Sequence, residues 1–260
     1  MTMTLQIHAT LDYALCGPTD IILQIEAAHL PEQSVSDAAL ELGPYDHFAR
    51  VAGEDGIGER VMLRAHERLT ADYRATVKIR RMIADVAALE AVPPHLLPGE
   101  TVHYLVDSRY CPAESFRSFV HEQFGDLAGG PLIAAQRDYI HDRFRYVSGA
   151  SDTTTTALET FVKRQGVCRD FAHMLITLAR ASGIPARIAS VYAPDVQPQD
   201  FHAVAEVFLD GAWHLVDPTG MAREAEMAKI GVGRDAADIA FLTTFGAVTM
   251  NAQTVEVTMV

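Results

Sequence analysis

Basic residues, pairable cysteines and long apolar runs are all scarce in this sequence, and each shortage removes a class of function. Lys and Arg number 21 against 34 Asp and Glu, a formal net charge of −13 with histidine neutral. That balance argues against a nucleic-acid partner, which calls for a basic stripe. It argues equally against docking on an anionic membrane. No stretch approaches the roughly eighteen uninterrupted apolar residues of a membrane span. The opening residues MTMTLQIH lack the basic and apolar regions of a signal peptide. The cysteines, Cys16, Cys111 and Cys168, are three in number and far apart, which is no disulfide framework. They suit a reducing, cytoplasmic setting.

Further absences narrow the chemistry. There is no G-x-S-x-G elbow and no phosphate loop ending in G-K-[ST], so serine-hydrolase and nucleotide-hydrolase readings lose their usual support. Of the 11 histidines, His121 is followed by Glu122 without the second histidine that a zinc helix needs, and His103 and His141 lie on other segments. No Cys-x-x-Cys occurs. Neither a metal nor a cofactor is expected.

What is present divides into two unlike halves. Residues 5–79 show short alternating runs, such as LQIHATLDY from Leu5 and YRATVKI from Tyr73. Turn signals at Gly17-Pro18, at Gly43-Pro44 and across Gly53, Gly56 and Gly58 separate these runs, a pattern that predicts a small β-sandwich. The segment PPHLLPG, from Pro93 to Gly99, cannot continue a helix or a central strand and marks the boundary. Beyond it, residues 113–124, 132–144, 154–164 and 168–182 carry apolar residues at helical spacing. Strand-like runs follow at 186–193, 201–209 and 213–216, the last two joined by the hairpin signal Asp210-Gly211. The expected architecture is α+β, with a sandwich over residues 1–98 and a second α+β domain over 99–260.

Cys168 follows Gly166-Val167 and opens a helix whose apolar stripe is Phe171, Ala172, Leu175, Ile176 and Ala179. A thiol in the first turn sits at the positive end of the helix, where free amide N–H groups favour a thiolate and can bind an oxyanion. Taken alone, such a cysteine is more often a small core residue. The downstream hairpin changes that weighting. His202 begins one strand, and Asp217 ends the next, just before Pro218. A carboxylate there can fix the tautomer of the histidine, leaving its other nitrogen to take the thiol proton.

The segment GVCRDFAH, Gly166 to His173, resembles the nucleophile segment of bacterial transglutaminase-like proteins. DFHAVAEVF around His202 resembles that family's histidine strand, and GAWHLVDPT, ending on Asp217, Pro218 and Thr219, its aspartate strand. The resemblance implies a papain-like fold for the second domain behind an N-terminal β-sandwich. It also implies Cys168 as nucleophile, His202 as general base and acid, and Asp217 as orienting carboxylate. The implied reaction is acyl transfer from a peptide or carboxamide through a thioester, as in a cysteine peptidase or amidase acting on a peptide or protein. Transamidation to an amine is the alternative outcome, and a catalytically silent protein-binding module is the alternative of another kind. The backbone N–H of Cys168 is one oxyanion donor, with Tyr146 and Gln165 as candidates for the second. Where the family often has an aromatic residue two places after the histidine, this chain has Val204.

Neighbouring residues have plainer readings. Asp170 in the first helical turn suits the helix dipole, and His173 lies off the apolar stripe as a structural residue. Cys16, in a strand, and Cys111 read as packing residues. Trp213, the only tryptophan, reads as core, with a possible second role in lining the cleft near Asp217.

Overall fold

In the computed structural model, which describes residues 2–260, the alternating runs become sheet and the helical runs become helix. Strand β1 (Met3–Leu15) buries Leu5, Ile7, Ala9, Leu11 and Tyr13 and turns the residues between them toward solvent. It is followed by β2 (Thr19–Leu23), β3 (Gln33–Leu42), β4 (His47–Ala52), β5 (Glu59–Ala65) and β6 (Arg68–Ile79). The glycine-rich run at 53–58 closes the β4–β5 hairpin, with Asp55, Gly56 and Gly58 at positive φ.

After the proline-rich segment come α1 (Arg117–Phe124) and α2 (Gly129–Arg143), with Pro131 in its first turn. A two-residue strand β7 (Arg145–Tyr146), α3 (Ala157–Lys163) and a second short strand β8 (Gln165–Gly166) lead to α4 (Cys168–Ala181). Strands β9 (Ala186–Tyr192), β10 (His202–Leu209), β11 (Ala212–Val216) and β12 (Ala228–Gly233) follow, then α5 (Ala236–Ile239), β13 (Leu242–Thr244) and β14 (Val248–Met259).

Three four-stranded sheets result. One runs β14-β1-β6-β3 and a second runs β13-β2-β5-β4; their facing apolar residues, among them Leu5, Ile21, Leu63, Tyr73 and Val257, form the sandwich core. The third, β11-β10-β9-β12, is antiparallel and carries α4 on one face. The protein is thus α+β, as the sequence predicts. A boundary at residue 98 alone does not describe it, however. β13 pairs with β2 and β14 with β1, so the chain returns after the third sheet to finish both sandwich sheets.

Helix α4 is not the one-sided helix its stripe suggests. Every residue from Asp170 to Arg180 is buried. Its apolar face packs on Ala186, Ile188, Ala203, Ala205 and Val207. Its other face is covered by the 104–113 segment and the start of α5. Arg180 donates there to the carbonyls of Val106, Ala186 and Arg234 and to the Ser108 hydroxyl. A central helix of this kind holds its first residue rigidly, and that residue is Cys168.

Candidate active site

The turn that presents Cys168 is built by Asp170. Its fully buried carboxylate accepts from the Val167 N–H at 2.8 Å and from the Ser151 hydroxyl, and Arg169 pairs with its other oxygen at 3.0 Å. A Cβ on Gly166 would lie 2.6 Å from Asp170 Oδ2, so only glycine allows this carboxylate to fold back under the turn. The dipole reading of Asp170 therefore understates it: the residue is the buried anchor of the Gly166–Val167–Cys168 turn. Cys168 itself remains partly accessible.

β10 and β11 pair with Ala205 opposite Val216 and Phe208 opposite Trp213. That register brings the start of β10 beside the end of β11. His202 Nε2 and Asp217 Oδ2 are 2.9 Å apart, and both side chains are almost wholly buried. Asp217 also accepts from the Thr219 N–H at 2.8 Å, the Thr219 hydroxyl at 2.7 Å and the Ala222 N–H at 2.9 Å. The second ring nitrogen of His202, Nδ1, is buried without a hydrogen-bond partner. Burial opposes charge on the imidazole, but Asp217 and the neighbouring Cys168 thiol outweigh it and raise its pKa to about 10. For Asp217, burial likewise opposes charge, and the bonds from His202 and Thr219 win, holding the carboxyl below its ordinary range.

The structure thus brings Cys168, His202 and Asp217 together. It separates the two oxyanion candidates. Tyr146, on β7, has its phenol against both the backbone and the thiol of Cys168, and burial with that neighbouring sulfur pushes its pKa up to about 12. The Gln165 amide oxygen instead meets Arg145 Nη2 at 3.5 Å on the exposed side of the β7–β8 pair.

Two expectations change, for Trp213 and for Cys16. Trp213 lies at the opposite end of β11 from Asp217, packed on Tyr104 and Phe208 with Arg187 over its ring at 4.1 Å, and so cannot wall the cleft. Val204, at the family's aromatic position, is buried among Val191, Leu215 and Val232. Cys16 is exposed in the bend after β1, so it is no packing residue, whereas Cys111 is fully buried with its thiol pushed up to about 12 by desolvation. Thr219 is the contributor that motif spacing does not reveal, since its role depends on the chain doubling back onto Asp217. His173, as expected, is structural: it stacks on Tyr110 and accepts from the Ala236 N–H at 3.1 Å.

Among the described residues, one cluster has metal-like spacing: Glu54, Asp55 and His103. Asp55 is already engaged by Arg187 and by the Tyr104 hydroxyl, each at 2.7 Å, so a cation there would compete with a guanidinium.

The model of the transglutaminase-like superfamily matches residues 125–218, a span that contains Cys168, His202 and Asp217. A solved structure described as a putative cysteine protease from Cytophaga hutchinsonii is 32% identical. It covers 100% of this chain and 91% of its own, with a TM-score of 0.94. An uncharacterised protein of Mycobacterium tuberculosis is 31% identical over 170 residues, 58% of this chain and 54% of the relative. One from Mycobacterium leprae is 30% identical over 119 residues, 42% of each. The chain spans about half the length of the curated relatives it matches. With the family model on the site and a 32% identical relative matched along nearly its whole length, the chain belongs to the transglutaminase-like superfamily.

Proposed function

We propose that the protein is a cysteine-dependent acyl-transfer enzyme that hydrolyses peptide or carboxamide bonds. The observation that carries this reading is the placement of His202, bound through Nε2 to Asp217 and left with a free Nδ1 beside the Cys168 thiol. In this scheme Cys168, as thiolate, attacks the carbonyl carbon, and the C=O electron pair moves onto oxygen. The Cys168 N–H at the head of α4 and the Tyr146 hydroxyl receive that oxyanion. Collapse of the tetrahedral intermediate breaks the C–N bond. His202 gives its proton to the departing amine, leaving a thioester on Cys168. Water, deprotonated by His202, then attacks the thioester and releases the acid and the thiolate. Asp217, held by Thr219 and Ala222, keeps the ring in the tautomer and orientation these proton transfers need. The substrate class is a peptide or protein, and three free thiols suit a cytoplasmic setting.

Alkylation by iodoacetamide at mildly acidic pH, read by mass spectrometry, tests the thiolate–imidazolium pair. Cys168 is expected to react far faster than Cys16, although Cys16 is more exposed, and His202→Ala should abolish the advantage. Equal, slow labelling of both would sink the proposal. A glutamine-containing peptide offered with and without a primary amine then separates hydrolysis from transamidation by product mass.

A further inference from the structure

The three residues that precede His202 all reach toward the far end of the chain, and Phe201 also packs on Tyr192 of β9 in the sheet that holds His202. Gln199 behaves like a short piece of strand: its Oε1 accepts from the Val257 N–H at 2.8 Å and its Nε2 donates to the Val257 carbonyl at 2.9 Å. Val257 lies on β14, an edge strand of the sandwich, so this one side chain satisfies both backbone groups at that edge. The same amide also donates to the Pro194 carbonyl at 3.0 Å, closing the loop on itself. Asp200 comes next, and it accepts from Gln253 Nε2, again on β14, at 2.8 Å. Gln253 is oriented in turn by the Tyr13 hydroxyl of β1 at 2.8 Å. Phe201 then stacks on Phe241 with ring centroids 4.6 Å apart and planes 11° from parallel.

We infer that Gln199 and Gln253 are positioning residues, through which the sandwich sets the approach of His202 to Cys168. This rests on the acyl-transfer reading above. The loop at 193–201 has no strand of its own to fix its path, and His202 is the first residue of β10, where a strand is least constrained. On the thiol side the ring faces only Cys168, and Nδ1 finds no other hydrogen-bond partner to hold it there. The ring is therefore placed by Asp217 on one side and by the backbone entering from residue 201 on the other. If the β14 contacts are removed, the entry path loosens, while α4 and the Asp217 turn stay as they are.

The test measures the rate of Cys168 alkylation against pH in wild type, Gln199→Leu and Gln253→Leu. Each leucine removes the hydrogen bonds at nearly constant volume. Because a misplacement on the order of 1 Å can cost about a hundredfold, the variants are expected to react ~10- to 100-fold more slowly at mildly acidic pH. At alkaline pH, where an unassisted thiol ionises, the rates should converge with wild type. Protection of the buried Cys111 from the same reagent reports that each variant is folded. Rates and pH profiles unchanged in both variants would overturn the inference. So would loss of Cys111 protection in both, since the contacts would then be scaffold for the whole fold. Wild-type Cys168 labelling that does not depend on His202 would overturn the acyl-transfer reading itself, a separate result.

Discussion

Asp217 accepts from the Thr219 and Ala222 backbone, from the Thr219 hydroxyl and from the His202 ring, which is why a carboxylate so deeply buried stays ionised. The pH dependence follows from the two shifted groups. His202 titrates near 10 rather than 6.5, so its contribution is whole below the unfolded value and is lost as pH rises toward 10. Asp217 titrates below 3.8, so its contribution is present above that value and is lost as pH falls through its lowered one. The excess stability of wild type over His202→Ala should be flat from about pH 4 to 6.5 and shrink toward pH 10, as followed by denaturant unfolding. An excess unchanged from pH 6 to pH 10 would contradict the pairing. Thr219→Val keeps the shape and removes the hydroxyl that serves both carboxylate oxygens. It should cost about 1–3 kcal/mol in the same assay. His202 and Asp217 were legible because each sits at a strand end beside a turn or proline. Thr219 was not, because its hydrogen bonds depend on the backbone turning after Pro218 rather than on any spacing.

Helix α4 and the β10–β11 hairpin are the elements that carry the site, and both depend on glycine at a specific point. Gly166→Ala would drive a methyl into the Asp170 carboxylate and push the Cys168 turn outward. It is expected to destabilise by about 1–3 kcal/mol and to slow Cys168 alkylation, read by thermal unfolding and mass spectrometry. In the hairpin, Asp210 and Gly211 both have positive φ, at 48° and 77°, which fits the Asp-Gly signal. Gly211→Ala should cost about 1–2 kcal/mol for a side chain held in the left-handed region. Local signals of this kind survive translation into structure because they concern adjacent residues. What periodicity could not supply was how many faces of α4 are covered. Asp170, His173, Thr177 and Arg180 lie off the apolar stripe yet all are buried, His173 and Arg180 against the 104–113 segment and the start of α5.

At the scale of the whole molecule, the sandwich and the second sheet are fastened by buried charge as well as by apolar contact. Glu206 on β10 is fully buried between Arg187 at 2.7 Å and Lys229 at 2.5 Å, and Arg187 reaches on to Asp55 in the β4–β5 turn. Glu206→Gln leaves two buried cations facing a neutral amide. It should cost about 3–5 kcal/mol by urea unfolding, whereas loss of the solvent-screened pair of Arg64 with Asp20 should leave the urea midpoint nearly unchanged. The two sheet systems also exchange glutamines. Gln33 of the sandwich accepts from the Lys229 N–H and donates to its carbonyl at the edge of β12, as Gln199 does for Val257 on β14. None of this was readable in sequence. Val255 and Val257 alternate as a strand should, but nothing local says that the strand belongs beside β1. Thr10 meets Thr254 across 244 intervening steps of chain.

The distance between β1 and β14 along the chain puts a clock on the active site. At about 5–20 residues per second, the ribosome delivers β14 roughly 12–50 s after β1. Cys168 and α4 are synthesised well before it, and so is the loop that β14 is to hold. A nascent chain therefore carries Cys168 for seconds before β14 is there to bind Gln199 and Asp200 ahead of His202.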